Sequence, residues 1–296
     1  MSPLRVGVVG AGPWAHFVHA PMLALHPNTT LVGVWARRPE ATQALADQHD
    51  VTAFSSFDAL IDHCEAVAFA VPPNVQATLA ARAAAAGRAV LLDKPIALDL
   101  DGAQRLADAV AEAGVGSQVV FSWRYMPAVR AFLEAVSEEA SEMGGLLGGR
   151  GAFVAGALED GPFATPWRVT HGHLLDLGPH VLDLLDAALG RVVALRASGD
   201  PHRWTSLLLE HDGGATSVAT MSATARVTTH VAGVEAYSAA GGHAVDTSGG
   251  LQPGDLVTIV DEFVRTARGV PHPLDVHRGV HLQYLLQAAS DDLART

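Results

Sequence analysis

Lysine is almost absent from this chain of 296 residues, because Lys94 is the only lysine among 19 basic side chains and the rest are arginines. Arginine stays protonated near neutral pH, whereas a lysine ammonium group can lose its proton. Proton chemistry based on lysine therefore has one candidate position. A chain this poor in lysine must still place its last one somewhere, so the neighbours of Lys94 decide its interpretation.

Cysteine is equally scarce, since Cys64 stands alone and cannot form an internal disulfide, which fits a reducing compartment. The N-terminal segment runs into glycines, and no apolar run approaches the ~20 residues that span a bilayer, so we expect neither a signal peptide nor a membrane span. A net charge of −12 with scattered arginines excludes the basic surface of a nucleic-acid-binding protein. We expect a soluble cytoplasmic protein.

Short apolar runs alternate with helical patterns over the first 121 residues, which is typical of βαβ units and a parallel sheet. Strands dominate the second half, with one internal helical segment at 174–189 and two closing helices at 254–268 and 275–293. We therefore predict an α/β doubly wound domain over residues 1–121. An α+β domain with a mainly antiparallel open sheet is predicted over 122–296, with a C-terminal helix able to pack back on the first domain.

The segment 213–250 contains three charged residues, Arg226, Glu235 and Asp246, and small or apolar side chains occupy both phases of its strand alternation. A sheet face so poor in charge is expected to be covered. We therefore predict a homo-oligomer, a dimer or tetramer, that associates through the open face of the second sheet.

A Gly-x-Gly-x-x-Ala motif follows the first predicted strand and opens a helix, the setting of a Rossmann dinucleotide-binding turn. The first glycine permits the tight turn, the second allows close approach of a pyrophosphate, and the alanine allows the helix to pack on the strand. The helix start favours an anion. The predicted cofactor contacts of this motif are Gly10, Gly12, Pro13, Trp14 and Ala15.

Two arginines, Arg37 and Arg38, follow the second predicted strand, where an acidic residue would accept the ribose hydroxyls of NAD. No carboxylate precedes Glu40 there. Two guanidinium groups suit a 2′-phosphate, so NADP is the expected cofactor and NAD remains possible. The alternative is that both arginines are ordinary surface charges.

Lys94 follows the predicted strand 89–92, and the carboxyl ends of such strands line the ligand crevice of a doubly wound sheet. Far along the chain, Asp176, His180 and Asp183 have the i, i+4, i+7 spacing of one helical face. Pro179 either kinks that helix or starts it, leaving Asp176 in the preceding turn. Either geometry keeps Asp176 and His180 close.

These motifs together resemble the Gfo/Idh/MocA family, named after glucose-fructose oxidoreductase, inositol dehydrogenase and a rhizopine-catabolism protein. The resemblance extends over nearly the whole chain. The residues that carry it are 10–15, Val71-Pro72-Pro73-Asn74, Asp93-Lys94-Pro95, Arg124-Tyr125-Met126-Pro127, Trp167-Arg168 and 176–183. It implies that Lys94, Asp176 and His180 form the catalytic group. It also implies cofactor contacts from Pro72, Pro73, Asn74, Gln76, Asp93 and Lys94.

The chain departs from the family pattern at three places. Asp93 replaces the usual glutamate, and Gln76 stands where many members have histidine, which puts the contacts near the nicotinamide ribose in doubt. Thr170-His171-Gly172 replaces a glycine run. Because this places bulk and an imidazole at the substrate mouth, the substrate of any one relative should not be transferred.

Oxidation of a carbinol needs a base at the hydroxyl and a cation near the developing alkoxide. Histidine titrates near neutral pH, so His180 suits the base, while Lys94 would hydrogen-bond the same oxygen and share the proton. Asp176 would orient either group or bind a substrate hydroxyl, and Asp183 would support them or be a solvated or capping carboxylate. The expected substrate is a sugar, cyclitol or similar polyol. The predicted pocket residues are Trp123, Arg124, Tyr125, Trp167, Arg168, His171, Asp176 and His180.

Two other functions are compatible with these residues. In a metal-assisted dehydrogenase, His171, His173, Asp176 and His180 would supply nitrogen and oxygen ligands of a type that zinc accepts. In a catalytically silent NAD(P) sensor, the fold would bind the dinucleotide without turnover, although such a protein has no need for the lysine and histidine that this chain retains.

Overall fold

The computed structural model describes residues 2–159 and 164–295. The chain divides into two compact units. The first unit comprises Met1–Val120 and Pro253–Gln283, and the second comprises Phe121–Gln252 and Tyr284–Thr296. The first unit thus includes a segment from late in the sequence, within the range 122–296 that we assigned to the second domain.

The first unit contains a six-stranded parallel sheet with the strand order β3-β2-β1-β4-β5-β6. Its strands are β1 (Leu4–Val9), β2 (Thr29–Trp35), β3 (Thr52–Ala53), β4 (Ala66–Phe69), β5 (Ala89–Asp93) and β6 (Ser117–Val120). Every residue of β4 and β6 is buried, as expected for a sheet covered on both faces. The predicted doubly wound fold is confirmed.

Helices connect the strands of this sheet, and a π-helical turn (Ala15–His19) precedes the first of them. They are α1 (Ala20–Leu25), α2 (Pro39–His49), α3 (Phe57–His63), α4 (Pro73–Ala85) and α5 (Leu100–Ala113). Gly114 adopts the left-handed conformation that ends α5. α9 (Pro253–Ala267) also belongs to this unit, where the side-chain amide of Gln118 donates a hydrogen bond to the Ile259 carbonyl at 3.0 Å.

The second unit contains a six-stranded sheet with the order β12-β11-β7-β10-β9-β8, antiparallel except for the β7–β10 pair. Its strands are β7 (Gly148–Val154), β8 (Val192–Asp200), β9 (Trp204–His211), β10 (Thr216–Ser222), β11 (Val231–Tyr237) and β12 (Gly242–Asp246). The predicted, mainly antiparallel sheet is thereby confirmed. The sequence pattern did not predict β12, which is short and lies at the sheet edge.

Two long helices of the second unit are α6 (Pro127–Met143) and α8 (His173–Leu189), and the short α7 (Pro166–His171) precedes α8. A closing helix, α10 (Val276–Leu293), begins in the first unit and ends in the second. The apolar side of α8 packs on β7 and β10, where Gly151 leaves room for Val181 and Leu185. No helix within the described ranges is long and apolar enough to cross a membrane.

The opposite face of the second sheet is exposed and carries large apolar side chains, among them Leu208 and Val218, which are paired across β9 and β10. Arg150 and Glu235 lie in the same row and form a two-point ion pair with N–O distances of 2.7 and 2.9 Å. This face therefore carries more charge than the segment 213–250 alone suggested, because β7 contributes an arginine to it.

Candidate active site

The glycine turn after β1 has the geometry that its sequence predicts. Gly10 has φ +121°, and a Cβ atom there would lie 2.2 Å from the carbonyl oxygen of Ala70, so no larger residue fits. At Gly12 no heavy atom lies within 4 Å of the position a Cβ would take. Ala15 is fully buried. The turn therefore combines a tight backbone bend with open space at the helix start.

The other two motif residues, Pro13 and Trp14, are half-buried. The Trp14 ring centroid lies 6.4 Å from that of His19, which is fully buried and ends the π-helical turn. Burial lowers the pKa of His19 to about 4, so this imidazole is neutral at physiological pH. His19 is therefore a structural residue beneath the turn, a role that no sequence pattern indicated.

The arginines after β2 are held in place by a local backbone turn. The Thr42 hydroxyl accepts a hydrogen bond from the Ala36 amide at 3.0 Å and lies 3.0 Å from the Arg38 carbonyl oxygen. Arg37 and Arg38 are both exposed, and neither guanidinium group has a hydrogen-bond or ion-pair partner within residues 2–159 and 164–295. Two cationic groups thus stand at the end of β2 without a protein anion to neutralise them.

The segment Pro72-Pro73-Asn74 lies at the start of α4, directly after β4. Pro72 is half-buried, Pro73 is buried and Asn74 is exposed. Gln76, two residues further on, is fully buried, and its side chain bonds to the backbone of residues 93, 95 and 96. The contact between Gln76 and the cofactor stays a prediction. Both polar atoms of its side-chain amide already form hydrogen bonds within the protein.

Lys94 lies in a turn at the carboxyl end of β5, and we refer to residues 93–96 as the lysine turn. The Asp93 carboxylate accepts a hydrogen bond from the Lys94 amide at 2.9 Å, which closes the turn from within. Asp93 and Lys94 are half-buried, whereas Pro95 and Ile96 are buried. The backbone that carries the lysine is thus fixed, while the lysine side chain reaches the protein surface in part.

The predicted helix face in the second unit exists, because α8 contains Asp176, His180 and Asp183 on three successive turns. Pro179 lies inside α8, so the alternative in which this proline starts the helix and leaves Asp176 in the turn before is wrong. Asp176 is buried and accepts a hydrogen bond from Nε of Arg168 at 3.0 Å. Arg168 in turn lies over the Trp167 ring, with 4.9 Å from its Cζ to the ring centroid.

Asp183 is almost completely buried, and both of its carboxylate oxygens lie 3.2 Å from one terminal nitrogen, Nη1, of Arg124. It is therefore neither solvated nor a helix cap, and it serves as a buried partner for a cation. Arg124 was predicted to line the substrate pocket, and its guanidinium group is bonded to this carboxylate. Tyr125, another predicted pocket residue, is buried, with Arg130 Cζ 5.8 Å from its ring centroid.

The His180 imidazole is enclosed by two aromatic rings. Trp123 stacks on it with a centroid distance of 5.2 Å and an interplanar angle of 28°, and Phe153 lies against it at 5.9 Å. Phe153 is on β7, far from His180 in sequence, and no spacing pattern pointed to it. These contacts restrict the imidazole to one plane.

His173, a ligand in the metal hypothesis, is fully buried at the start of α8, and its Nε2 lies 2.9 Å from the Thr205 hydroxyl. Burial lowers the pKa of His173 to about 4, which keeps the ring neutral. His171 lies at the end of α7 and is half-buried. Within the described ranges, no three His, Cys, Asp or Glu side chains are placed to hold a metal ion. The four residues of the alternative metal hypothesis therefore do not form such a group.

Comparison with known proteins supports the motif-based resemblance over the N-terminal part of the chain. A family model described as an oxidoreductase family with an NAD-binding Rossmann fold, GFO_IDH_MocA, matches residues 4–121. Over these residues the chain is similar to the Gfo/Idh/MocA oxidoreductase family. The resemblance inferred from the motifs is confirmed.

The chain is also similar to curated relatives and to solved structures. Glucose-6-phosphate 3-dehydrogenase from Bacillus subtilis is 28% identical over 188 residues, which cover 61% of this chain and 52% of that enzyme. The chain thus matches about half the length of this relative. The structure of GenD2 from gentamicin A biosynthesis, in complex with NAD, superimposes with a TM-score of 0.86 at 24% identity, covering 99% of this chain and 95% of that one.

Levoglucosan dehydrogenase in complex with NADH and levoglucosan superimposes with a TM-score of 0.83 at 20% identity, covering 99% of this chain and 98% of that chain. At these identities the structural matches establish the fold of both units. They do not identify the reaction that this chain catalyses.

Proposed function

We propose that the protein is an NAD(P)-dependent oxidoreductase that transfers a hydride between the nicotinamide and a carbinol or carbonyl of a sugar, cyclitol or similar small polyol. The observation that carries this proposal is the placement of the only lysine in a fixed turn at the carboxyl end of a Rossmann strand. The names of the relatives support it, since they are dehydrogenases of glucose 6-phosphate, levoglucosan and inositol.

The first unit fits a dinucleotide. The space around Gly12 leaves room for a pyrophosphate, and the remaining free amides at the start of the helix favour an anion. Pro72, Pro73, Asn74, Asp93 and Lys94 would hold the nicotinamide end, and the turn residues from Gly10 to Ala15 the pyrophosphate. When bound, the nicotinamide supplies hydride chemistry, and the protein supplies orientation and proton transfer.

Lys94 and His180 handle the proton of the reacting hydroxyl in this proposal. The Lys94 ammonium group donates a hydrogen bond to the oxygen and stabilises its developing negative charge, and His180 accepts the proton. The rings of Trp123 and Phe153 support this role, because they hold the imidazole in a fixed plane. Asp176, one helical turn before His180, orients the polar groups around it through its ion pair with Arg168.

The substrate contacts come from the polar side chains around α7 and α8. Trp167, Arg168 and His171 are half-buried, so they retain surface that a substrate could contact. Arg124 and Tyr125 contribute through the buried packing that supports α8. His171 places an imidazole where the Gfo/Idh/MocA family has glycine, and we infer that it narrows the range of substrates.

NADP is the proposed cofactor, because Arg37 and Arg38 are exposed cations without a protein partner within the described ranges. Each charge-assisted bond to a 2′-phosphate would contribute about 1.5–3 kcal/mol. Arg37→Glu should therefore shift the ratio of NADPH to NADH affinity toward NADH by about 10-fold or more. Fluorescence titration with both cofactors measures the ratio, and an unchanged ratio would contradict the NADP assignment.

A substrate panel tests the activity directly. Purified protein is mixed with NADP⁺ or NAD⁺ and with hexoses, sugar phosphates, anhydrosugars, cyclitols or nucleotide sugars, and absorbance at the wavelength of the reduced nicotinamide is followed. Cofactor reduction with at least one class supports the proposal. Tight dinucleotide binding without turnover on any class, in either direction, would favour the silent sensor instead.

We also propose that the protein is a homo-oligomer, a dimer or tetramer, that associates through the exposed face of the second sheet, and that it acts in the cytoplasm, where its single buried cysteine stays reduced. Light scattering after size-exclusion chromatography measures the subunit number. Val218→Glu places a charge in the middle of this face and should dissociate the oligomer. A monomeric wild-type protein would contradict the proposal.

A further inference from the structure

Gln76 is a fully buried primary amide, and an amide in such a place needs hydrogen-bond partners for both its oxygen and its nitrogen. It lies in the first turns of α4, and every partner that the structure gives it is a backbone group of the lysine turn. The Gln76 side chain on α4 thus forms its hydrogen bonds with the turn that carries the proposed catalytic lysine.

The bonds of Gln76 lie on both sides of Lys94. Its Oε1 accepts a hydrogen bond from the Asp93 amide at 2.8 Å, and its Nε2 donates to the Asp93 carbonyl oxygen at 2.7 Å. The same nitrogen lies 3.3 Å from the carbonyl oxygens of both Pro95 and Ile96, which places its second hydrogen between them. The residue before the lysine and the two residues after it are therefore fixed to one amide group.

The sheet explains why Gln76 is needed there. The pairing of β4 with β5 ends at Leu91, two residues before the lysine turn, whereas β6 continues to pair with β5 as far as Asp93. Beyond Leu91 the backbone of β5 therefore lacks its neighbouring strand on the β4 side. The Gln76 amide offers one acceptor and two donor hydrogens, so it supplies the bonds that a strand would have made.

A second contact limits movement of the lysine turn within the first unit. At Gly279 of α10, a Cβ atom would lie 2.8 Å from the Cδ1 atom of Ile96, so the helix approaches this side chain closely. Ile96 is buried and holds the end of the turn by packing. Hydrogen bonds to the turn come from the Gln76 amide and from the Asp93 carboxylate, which accepts one from the Lys94 amide.

We propose that Gln76 is a positioning residue, which holds the lysine turn by its side-chain amide and thereby fixes where the Lys94 ammonium group acts. This inference rests on the proposed function in one respect, namely that Lys94 is catalytic. Gln76 contacts neither the reacting hydroxyl nor its proton in this account. It acts by fixing the backbone on both sides of the lysine, and a displacement of about 1 Å at a reacting group can cost about 100-fold in rate.

Four substitutions separate positioning from packing. Gln76→Met keeps the length of the side chain and removes every hydrogen bond, while Gln76→Asn keeps the amide and withdraws it by one methylene group. Gln76→His keeps one donor and one acceptor. The matched control is Gln118→Met, because Gln118 is also a fully buried glutamine in the first unit that bonds a backbone carbonyl, but its partners are the Ile259 carbonyl and the Thr266 hydroxyl, both on α9.

Because Lys94 is the only lysine, growth on lysine labelled with ¹³C at Cε gives one lysine signal in the NMR spectrum of the whole protein. Its chemical shift reports the surroundings of the Lys94 ammonium group without any substrate. Gln76→Met should move this signal, and Gln76→His should return it toward wild type. Gln118→Met should leave it in place, although it also loses a buried hydrogen bond.

Kinetics give the second readout. Gln76→Met should lower kcat by about 10- to 100-fold while the Kd for the dinucleotide changes by less than about 3-fold. Gln76→His should recover most of the loss. If Gln76→Met does not fold, Gln76→Asn takes its place, since it retains a polar group for the buried site.

The possible results distinguish the two proposals. A Lys94 signal that is unchanged in a folded Gln76 variant, or that moves equally in Gln118→Met, would overturn the positioning role. A wild-type protein that turns over no substrate would overturn the proposed function, and the NMR comparison would still decide whether Gln76 positions Lys94.

Discussion

The two groups proposed to move the proton are held by different physical means. Lys94 lies in the first unit on a turn held by neutral hydrogen bonds from the Gln76 amide. His180 lies in the second unit on a helix whose neighbouring carboxylates pair with arginines, and its own ring is enclosed by aromatic rings. The lysine is therefore positioned through its backbone, whereas the histidine is positioned through side chains.

This difference predicts that substitutions around the two groups affect stability and catalysis to different extents. Leaving a buried neutral group without its hydrogen bond costs about 1–3 kcal/mol, whereas removing one partner of a buried ion pair costs about 3–5 kcal/mol. Changes around Lys94 should therefore reduce catalysis with a smaller loss of stability than changes around α8. Changes around α8 should reduce both, because they leave a carboxylate buried without its cation.

The largest expected effect is on turnover, at Lys94 itself. Lys94→Met should reduce kcat by about 1000-fold or more, because it removes the group that stabilises the alkoxide, while dinucleotide binding persists. Lys94→Arg keeps the charge and should still lose most activity, since an arginine side chain stays protonated near neutral pH and cannot share the proton of the hydroxyl. Steady-state kinetics on both variants measure the loss of turnover, and cofactor titration measures whether dinucleotide binding persists. Near wild-type turnover in Lys94→Met would remove the lysine from the mechanism.

The next largest effect is on stability, in the second unit. Arg124→Met removes the cation that is bonded to the buried Asp183 carboxylate, and should lower the free energy of unfolding by about 3–5 kcal/mol. The double variant Arg124→Met, Asp183→Leu should regain most of this loss, because the buried carboxylate is removed as well. Urea unfolding measures both variants. Arg226→Met, at an exposed ion pair with Glu159, is the control and should change stability by less than about 1 kcal/mol. Equal losses in Arg124→Met and the control would contradict the buried role of Asp183.

The smallest effect is a pH dependence that both units share. Burial lowers the pKa values of His19 and His173 to about 4, so between about pH 4 and 6.5 the unfolded chain binds more protons at these sites than the folded protein does. The contribution of these two histidines to the free energy of unfolding is fully present above pH 6.5 and decreases as the pH drops through this range. Each site should contribute a slope of about 1.4 kcal/mol per pH unit.

His19→Leu in the first unit and His173→Asn in the second should each flatten this dependence. His173→Asn keeps a donor for Thr205, so it should do so without a large loss of stability at pH 7.5. Urea unfolding at pH 5 and 7.5 compares each variant with wild type. If the free energy of unfolding depended on pH in both variants as it does in wild type, burial would not be what lowers the pKa values of these imidazoles.

The sequence allowed prediction of the parts of the fold that depend on local pattern. The valine-rich runs predicted the parallel strands, Gly10 predicted the tight turn after β1, and the spacing of Asp176, His180 and Asp183 predicted a common helix face. The edge strand β12 escaped prediction because its five residues lack a clear alternation of apolar and polar side chains.

The support of the candidate site could not be read from the sequence. The partner of Asp183 is Arg124, which is 59 residues away, and the ring of Phe153 meets His180 from another element. The sequence pointed to Gln76 as a cofactor contact and as a departure from the family pattern, whereas its bonds to residues 17–20 positions later arise only when β4 ends before β5. Such contacts depend on how the elements pack, and periodicity carries no information about that.

A double-mutant cycle tests most directly whether Lys94 and His180 serve one proton transfer. Lys94→Met, His180→Gln and the double variant are compared by kcat/KM on a substrate found in the panel. Residues that act as a unit are strongly non-additive, so we predict that the double variant is within about 10-fold of the slower single variant. A double variant whose loss equals the product of the two single losses would contradict the account, because it would show that the two groups act independently.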